Sequence, residues 1–291
     1  VFGYTKHSLI GTVVGNVINI ILNSVFLFVF NWGVMGVAAA TVFSKVVNLI
    51  IVAAMGAVLI KAKQSPERAQ PRKILAQIVK IGFPSAFETA LYNVAMTFIV
   101  CFMNHMDKDG MNVTARSYAM QIANFSYCVG AALAQANAIM TGWRIGAKKY
   151  EECDRGTRKA VIYGLVTATC FSVTFAMTGR FIVHIFTDDT QMIELVVKLL
   201  IVDIFLEFGR VTNLVYGQAL KTSGDAIFPV IIGAIFMYLF AVGGTYFLGI
   251  HMGLLAVGAY IAMAGDECAR AIGMVLRWKS GKWKSKSLIE L

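Results

Sequence analysis

Nine charged side chains lie inside long apolar stretches of this sequence, and they are the residues whose types could do chemistry. A charge at the centre of a hydrocarbon layer costs about 2.5–3.5 kcal/mol on insertion scales. Such residues therefore either bind a proton, an ion or a charged solute, or neutralise one another. They are Lys45, Glu88, Lys198, Asp203, Glu207, Arg210, Asp266, Glu267 and Arg270.

Asp203, Glu207 and Arg210 are spaced to share one face of a helix, within about 60° of one another. Because this face carries two acids and a base, it must contact protein or water rather than lipid. We expect Asp203 or Glu207 to take up a coupling cation while Arg210 compensates the charge. The alternative is a static ion-pair network that fixes helix packing.

Glu88 follows Pro84 by four residues, a spacing typical of the first turn of a helix. Its carboxylate is a candidate site for a cationic substrate or a proton, with a purely structural helix-start role as the alternative. Asp266 and Glu267 precede Arg270 by four and three residues, so pairing within one helix is the favoured interpretation there. Lys45 lies on another polar helix face and is a candidate charge-balancing residue.

Amide side chains form a further pattern, in which Asn16, Asn19 and Asn23 occupy positions i, i+3 and i+7 of one helix. Amides at this spacing can donate and accept hydrogen bonds across a helix interface, which we favour over ligand binding. Gln121 and Asn213 are assigned to polar helix faces in the same way.

Composition excludes an ordinary water-soluble globule. Of the 291 residues 58% are hydrophobic and 14% charged, and mean hydropathy is +0.69. Eight apolar runs are long enough to cross a bilayer as helices, since bare backbone polar groups are not satisfied in lipid. The fold class is therefore all-α membrane protein with eight transmembrane helices. The runs are 8–30, 33–60, 81–103, 114–140, 160–177, 192–219, 227–248 and 253–276.

The charge distribution predicts how these helices are oriented. The net charge of +10 is spread over short clusters between the runs, which is a topology signal rather than a nucleic-acid surface. Nineteen Lys and Arg residues fall on one side, which places both chain ends in the cytoplasm. No cysteine or histidine spacing matches a metal site or disulfide framework, and no nucleophile lies beside a base within a run, so neither a cofactor nor an enzyme is expected.

The first two and last two runs match weakly as an internal repeat. The segment 33–39 matches 253–259 at an offset of about 220 residues, as in a parallel repeat of two lobes. We expect residues 1–60 to be the last two helices of one six-helix lobe, 61–73 a cytoplasmic linker, 74–276 a complete second lobe and 277–291 a basic tail. This period implies roughly 145 residues, and four helices, missing from the first lobe.

Several motifs together resemble the multidrug and toxin extrusion (MATE) transporters over essentially the whole chain, aligned with the last eight of twelve helices. They are Gly15-Asn16 with Asn19 and Asn23, the run 36–41, Gly82-Phe83-Pro84, the run 142–152, Glu207-Phe208-Gly209-Arg210 with Asn213, Gly224-Asp225 with Pro229, and Asp266-Glu267 with Arg270.

The resemblance implies a secondary antiporter of the plasma (inner) membrane that exports organic cations, drugs or metabolites in exchange for H⁺ or Na⁺. Expected partners are the bilayer and a cationic or amphipathic small molecule, not nucleic acid. The alternative is a related two-lobed flippase for lipid-linked sugars, which would line its cavity with several arginines. Here Arg210 and Arg270 each lie beside acids, which favours cationic or neutral cargo.

Overall fold

The computed structural model describes residues 5–59, 71–106 and 109–286, and within them the eight predicted runs are all helical. The first two helices form one compact unit, 1–70, and the other six form a second, 71–291. The helices are α1 (Thr5–Ser24, extended by a π-helical turn at Val25–Val29), α2 (Gly33–Leu59), α3 (Pro71–Met106), α4 (Met111–Gly146), α5 (Tyr150–His184), α6 (Thr190–Thr222), α7 (Ile227–Phe236, extended by π-helical turns at Met237–Val242 and Thr245–His251) and α8 (Leu255–Lys279, followed by a 3₁₀ turn at Lys282–Lys286).

Five of these helices are long and apolar enough to cross a membrane by length and composition: α1, α2, α3, α5 and α7 with its π-helical turns. The other three, α4, α6 and α8, hold eight of the thirteen buried polar or charged residues described in the second unit, among them Asp203, Glu207 and Asp266. Large apolar side chains point outward, among them Met177 and Phe181 on α5. This arrangement, polar inside and apolar outside, is the one that a bilayer requires.

Helix α6 is the centre of the second unit, where it packs against α4, α5 and α8. Its apolar side chains, such as Leu199, Leu206 and Val215, are almost fully buried. At Gly209 the backbones of α6 and α8 come so close that an added Cβ would lie 2.6 Å from the Cys268 amide nitrogen. The absence of a side chain at this position therefore brings the charged residues of the two helices within reach of each other.

Helix α3 differs from its prediction. It begins at Pro71, and Pro84 lies in its interior rather than in its first turn. The three residues 71–73 of the predicted linker are helical as well, whereas 60–70 lie outside the described residues. Glu88 is consequently an interior residue of a long helix, and the helix-start role offered as its alternative is wrong. The cause of the error is that proline opens helices more often than it interrupts them.

Two of the four tryptophans are exposed and two are buried, a difference that the sequence did not indicate. Trp32 and Trp143 are 54% and 57% exposed, as expected for interfacial indoles. Trp278 and Trp283 are instead buried, stacked on each other with ring centroids 4.2 Å apart. The Trp278 indole donates a hydrogen bond to Asp154 of α5 at 2.9 Å, so the end of α8 is fastened to the start of α5.

The first unit is a helical hairpin whose amides hold it together. Asn19 donates to the Ser44 hydroxyl at 3.1 Å, and Asn23 donates to the Asn19 side-chain oxygen at the same distance. Asn16 is exposed, and so is Lys45, which forms no ion pair within the described residues. The Asn19 hydrogen bond to α2 agrees with the interpretation of the amide pattern as a helix interface, whereas the Asn23 hydrogen bond lies within α1.

The two segments matched as a repeat share their local backbone. A π-helical turn precedes each one, Val25–Val29 in the first case and Thr245–His251 in the second. Gly33 and Gly253 then both adopt left-handed conformations, with φ of 54° and 70°, before the next helix. Glycine tolerates this conformation without strain, which explains why it stands at both positions.

Candidate functional site

The second unit encloses a cavity of about 610 Å³ between α3, α4, α6, α7 and α8. Three carboxylates line it, Glu88, Asp203 and Glu267, together with three cations, Arg210, Lys221 and Arg270. Most of the other side chains in the wall are aromatic, amide or thioether: Tyr92, Tyr127, Tyr260, Asn124, Asn213, Gln218, Met120, Met237, Met263 and Met274. Charged side chains from α3, α6 and α8 thus line the same cavity.

Helix α6 carries two acids and a base, Asp203, Glu207 and Arg210, at or directly behind the cavity wall. Asp203 is 3% exposed, lines the cavity and forms no hydrogen bond or ion pair with any described residue. Glu207 is fully buried behind the wall, where one of its oxygens accepts a hydrogen bond from Arg210. Its other oxygen, Oε2, has no partner in the described part of the chain. The two acids of this helix therefore have different surroundings.

Helix α8 adds a second set of charges to the same place. Arg270 donates to both oxygens of Asp266, at 3.0 and 2.5 Å, and lies 3.0 Å from a Glu267 oxygen. Glu267 also reaches across to α6, where its Oε1 is 3.8 Å from the Arg210 Nε and its Oε2 accepts a hydrogen bond from Asn213 at 2.9 Å. Pairing within α8 is present as predicted, and it extends to α6.

We call Asp203, Glu207, Arg210, Asp266, Glu267 and Arg270 the central cluster. It holds four carboxylates and two guanidinium groups. A third buried arginine, Arg116, contacts the Met96 sulfur at 3.7 Å and forms no ion pair within the described residues. Even with Arg116 counted, carboxylates outnumber the fixed positive charges. Such a surplus favours cations in a space that water can enter.

Glu88 faces the same cavity from α3 but belongs to a separate interaction. Its carboxylate accepts a hydrogen bond from the Lys221 ammonium of α6 at 2.6 Å, and both side chains are about a quarter exposed. Lys221 is one of the nineteen Lys and Arg residues counted on one side of the membrane from the sequence, and its pairing with Glu88 was not predicted. The two residues are 133 positions apart, and no local pattern links them.

The structure thus brings together most of the charged candidates and one predicted amide, Asn213, and leaves the other predicted amides elsewhere. Glu88, Asp203, Arg210, Asn213, Glu267 and Arg270 line the cavity, with Glu207 and Asp266 directly behind it. Gln121 is exposed and lies outside the lining. The three cavity tyrosines were not singled out from the sequence, although Tyr92 follows Glu88 by one helical turn, a spacing that could have indicated it.

Comparison with known proteins gives one consistent result. The sequence profile of the MatE family matches residues 84–247. The uncharacterized transporter YisQ of Bacillus subtilis is 30% identical over 293 residues, which cover 99% of this chain and 64% of YisQ. The probable multidrug resistance protein NorM of Thermotoga maritima is 25% identical, over 99% of this chain and 62% of NorM.

Solved structures of the same kind share the fold. The eukaryotic MATE transporter AtDTX14 superposes with a TM-score of 0.85 at 16% identity, over 95% of this chain and 62% of that one. A MATE protein in its straight conformation gives a TM-score of 0.79 at 20% identity, over 95% and 63%. The chain therefore spans a little under two thirds of the length of these relatives.

Proposed function

This chain belongs to the MATE family of membrane transporters, and from this we propose that the intact protein is a secondary antiporter. In this proposal it exports organic cations, drugs or metabolites in exchange for H⁺ or Na⁺. The observation that carries the proposal is the central cluster, whose four carboxylates outnumber its two guanidinium groups and of which Asp203 and Glu267 line the cavity, where isolated charges are costly. The transported ion is the only inorganic species that the proposal requires.

Asp203 is the residue that we assign to the coupling cation. It faces the cavity and has no ion pair among the described residues, so a proton or Na⁺ can bind it without displacing a protein cation. Glu207 is less suited because Arg210 already donates to it and it does not line the cavity. Of the two acids of α6, we therefore assign only Asp203 to the binding of the coupling cation.

Glu88 is the residue that we assign to cationic cargo. Its present partner is a lysine, and a flexible ammonium on a partly exposed side chain can be displaced by another cation. The surrounding methionines and tyrosines offer apolar and polarisable contacts for varied ligands. The cavity volume lies in the range typical of drug-sized ligands, about 300–1,000 Å³.

The flippase alternative fits the cavity less well. A lipid-linked pyrophosphate would need arginines free to bind it, whereas Arg210 and Arg270 both contact carboxylates.

Alternating access between two six-helix lobes is the transport mechanism we propose, with cargo and coupling ion binding the inward and outward states unequally. The excess of basic residues on one side supports a plasma (inner) membrane protein with both ends of this chain cytoplasmic.

Removal of the Asp203 charge tests the coupling assignment. The intact protein, carrying Asp203→Asn, would be reconstituted in liposomes and supplied with an H⁺ or Na⁺ gradient while ethidium transport is followed. We expect ion-driven transport to fall by about tenfold or more, because the exchange step loses its cation ligand. The matched control is Asp188→Asn, which makes the same change at a side chain that is 94% exposed.

Ethidium binding to the same detergent-purified variants separates coupling from cargo recognition. Asp203→Asn should leave the affinity within about twofold, whereas Glu88→Gln should weaken it by about fivefold because one direct charge contact is lost. Full ion-driven transport by Asp203→Asn would disprove its assignment as the coupling site. Unchanged ethidium affinity in Glu88→Gln would disprove the cargo assignment.

A further inference from the structure

A second recess, of about 500 Å³, lies where α5 begins and α8 ends, apart from the cavity described above. Four cations line it: Arg155 and Arg158 from α5, Lys279 from the end of α8, and Lys284 from the 3₁₀ turn that follows. Two acids, Glu151 and Asp154, lie among them. Its formal charge, four positive against two negative, is therefore +2.

The two acids leave most of this positive charge available. Asp154 is held by Arg158 at 2.8 Å and by the Trp278 indole nitrogen at 2.9 Å. Arg155, Lys279 and Lys284 form no ion pair with any described residue. Glu151 is then the only acid lining the recess, in the part of the chain described, that is not already engaged.

The base of the recess is rigid. Trp278 and Trp283 stack at 4.2 Å with an interplanar angle of 11°, and the Trp283 indole donates to the Trp278 carbonyl at 3.0 Å. Tyr150 packs edge-on against Trp283. These contacts fix the 3₁₀ turn against α5 and α8, so the cations are presented on a preformed surface rather than on a loose tail.

Further along α5, the side of the helix that carries Arg155 is apolar and exposed. Ile162 and Val166 follow Arg155 by 7 and 11 positions, which places them on the same side of the helix, and each is 58% exposed. Such side chains contact lipid tails when the helix spans a bilayer. A group that binds in the recess is thus positioned to have its apolar part beside these two residues.

We propose that this recess binds the phosphate headgroup of an anionic phospholipid, with the acyl chains lying along the apolar side of α5. Arginine and lysine are the side chains that recognise phosphate, and four of them line this recess at the ends of two helices. The orientation proposed above places the recess in the cytoplasmic leaflet, where anionic lipids attract basic residues. This inference does not depend on the nature of the cargo.

Native mass spectrometry of the purified chain in detergent tests the proposal, with dioleoylphosphatidylglycerol and dioleoylphosphatidylcholine as probes. We expect one phosphatidylglycerol to bind with about tenfold preference, since two or more cations contact its phosphate. Lys284→Gln and Arg155→Gln should each weaken this binding about fivefold. Lys282→Gln is the matched control, because Lys282 belongs to the same 3₁₀ turn, is exposed and does not line the recess.

The outcomes discriminate between a built site and diffuse charge. Equal loss of phosphatidylglycerol in Lys284→Gln and Lys282→Gln would overturn the proposal, because only overall charge would then matter. Equal binding of the two lipids would also overturn it. Displacement of the lipid by millimolar inorganic phosphate would assign the recess to a free anion and overturn the lipid assignment. Retention of the lipid in phosphate, with the two variants weakened and the control unchanged, supports it.

Discussion

The central cluster and the Glu88–Lys221 pair place charges around the same cavity but are built differently. In the cluster, Glu267 contacts Arg210, Arg270 and Asn213, so this one carboxylate links the charges of two helices. In the pair, one ammonium contacts one carboxylate, and both are partly exposed. Loss of one cluster arginine therefore leaves more than one acid uncompensated, whereas the pair can open and accept a new partner.

The largest loss of stability is expected on removing an arginine from the cluster. Arg270→Met leaves Asp266 and Glu267 without their nearest cation, so we expect the free energy of unfolding in detergent to fall by about 3–5 kcal/mol. Lys221→Met, measured in the same denaturant titration, should cost no more than about 1 kcal/mol. Equal losses in the two variants would show that the cluster is no more interdependent than the pair.

The close approach of α6 and α8 can be disturbed without changing any charge. Gly209→Ala would place a methyl group against the Cys268 and Glu267 backbone, which cannot move independently of α8. We expect the same titration to show a loss of about 1–3 kcal/mol from overpacking. Gly265→Ala is the control, because an added methyl there has open space on an exposed helix position. It should be neutral or stabilising by up to about 1 kcal/mol, and a loss equal to that of Gly209→Ala would contradict the packing argument.

Within the cluster, the two buried aspartates, Asp203 and Asp266, are expected to contribute differently to the free energy of unfolding. Asp266→Asn removes the carboxylate that accepts two hydrogen bonds from Arg270, and should lower unfolding stability by about 1–2 kcal/mol. Asp203→Asn removes a carboxylate that has no ion pair among the described residues, so stability should change by less than about 1 kcal/mol. Thermal unfolding of the two variants side by side measures this. A large loss in Asp203→Asn would indicate a structural role and weaken its assignment to the coupling ion.

Sequence reasoning predicted the helices well because apolar run length and helical spacing are local properties. It also predicted that Arg270 pairs with Asp266 and Glu267, four and three positions before it, and that Arg210 compensates the charge of the acids on its own helix. The start of α3 was mispredicted because an interior proline has the same local appearance as an initial one. The boundary of a helix depends on what lies upstream as well as on the proline itself.

Contacts between distant segments were beyond local reasoning. The Asp154–Trp278 hydrogen bond joins residues 124 positions apart, and the Asn213–Glu267 hydrogen bond joins residues 54 positions apart. Each depends on which faces of two helices meet, which is decided by packing of the whole unit and by close approaches such as that at Gly209. The sequence therefore indicated that acids such as Asp203, Glu207 and Asp266 had to be shielded from lipid, but not which residues of other helices would be their partners.

The smallest expected effect concerns the Glu88–Lys221 pair itself. A double-mutant cycle with Glu88→Gln and Lys221→Gln should give a coupling energy of about 0.2–1 kcal/mol in unfolding titrations, because both groups are partly exposed. Added salt should reduce it further. Such a weak pair is easily replaced, so Lys221→Gln should raise ethidium affinity, and Glu88→Gln should cancel that gain. A coupling energy above about 2 kcal/mol, insensitive to salt, would place the pair with the interdependent cluster and remove the physical basis for cargo exchange at Glu88.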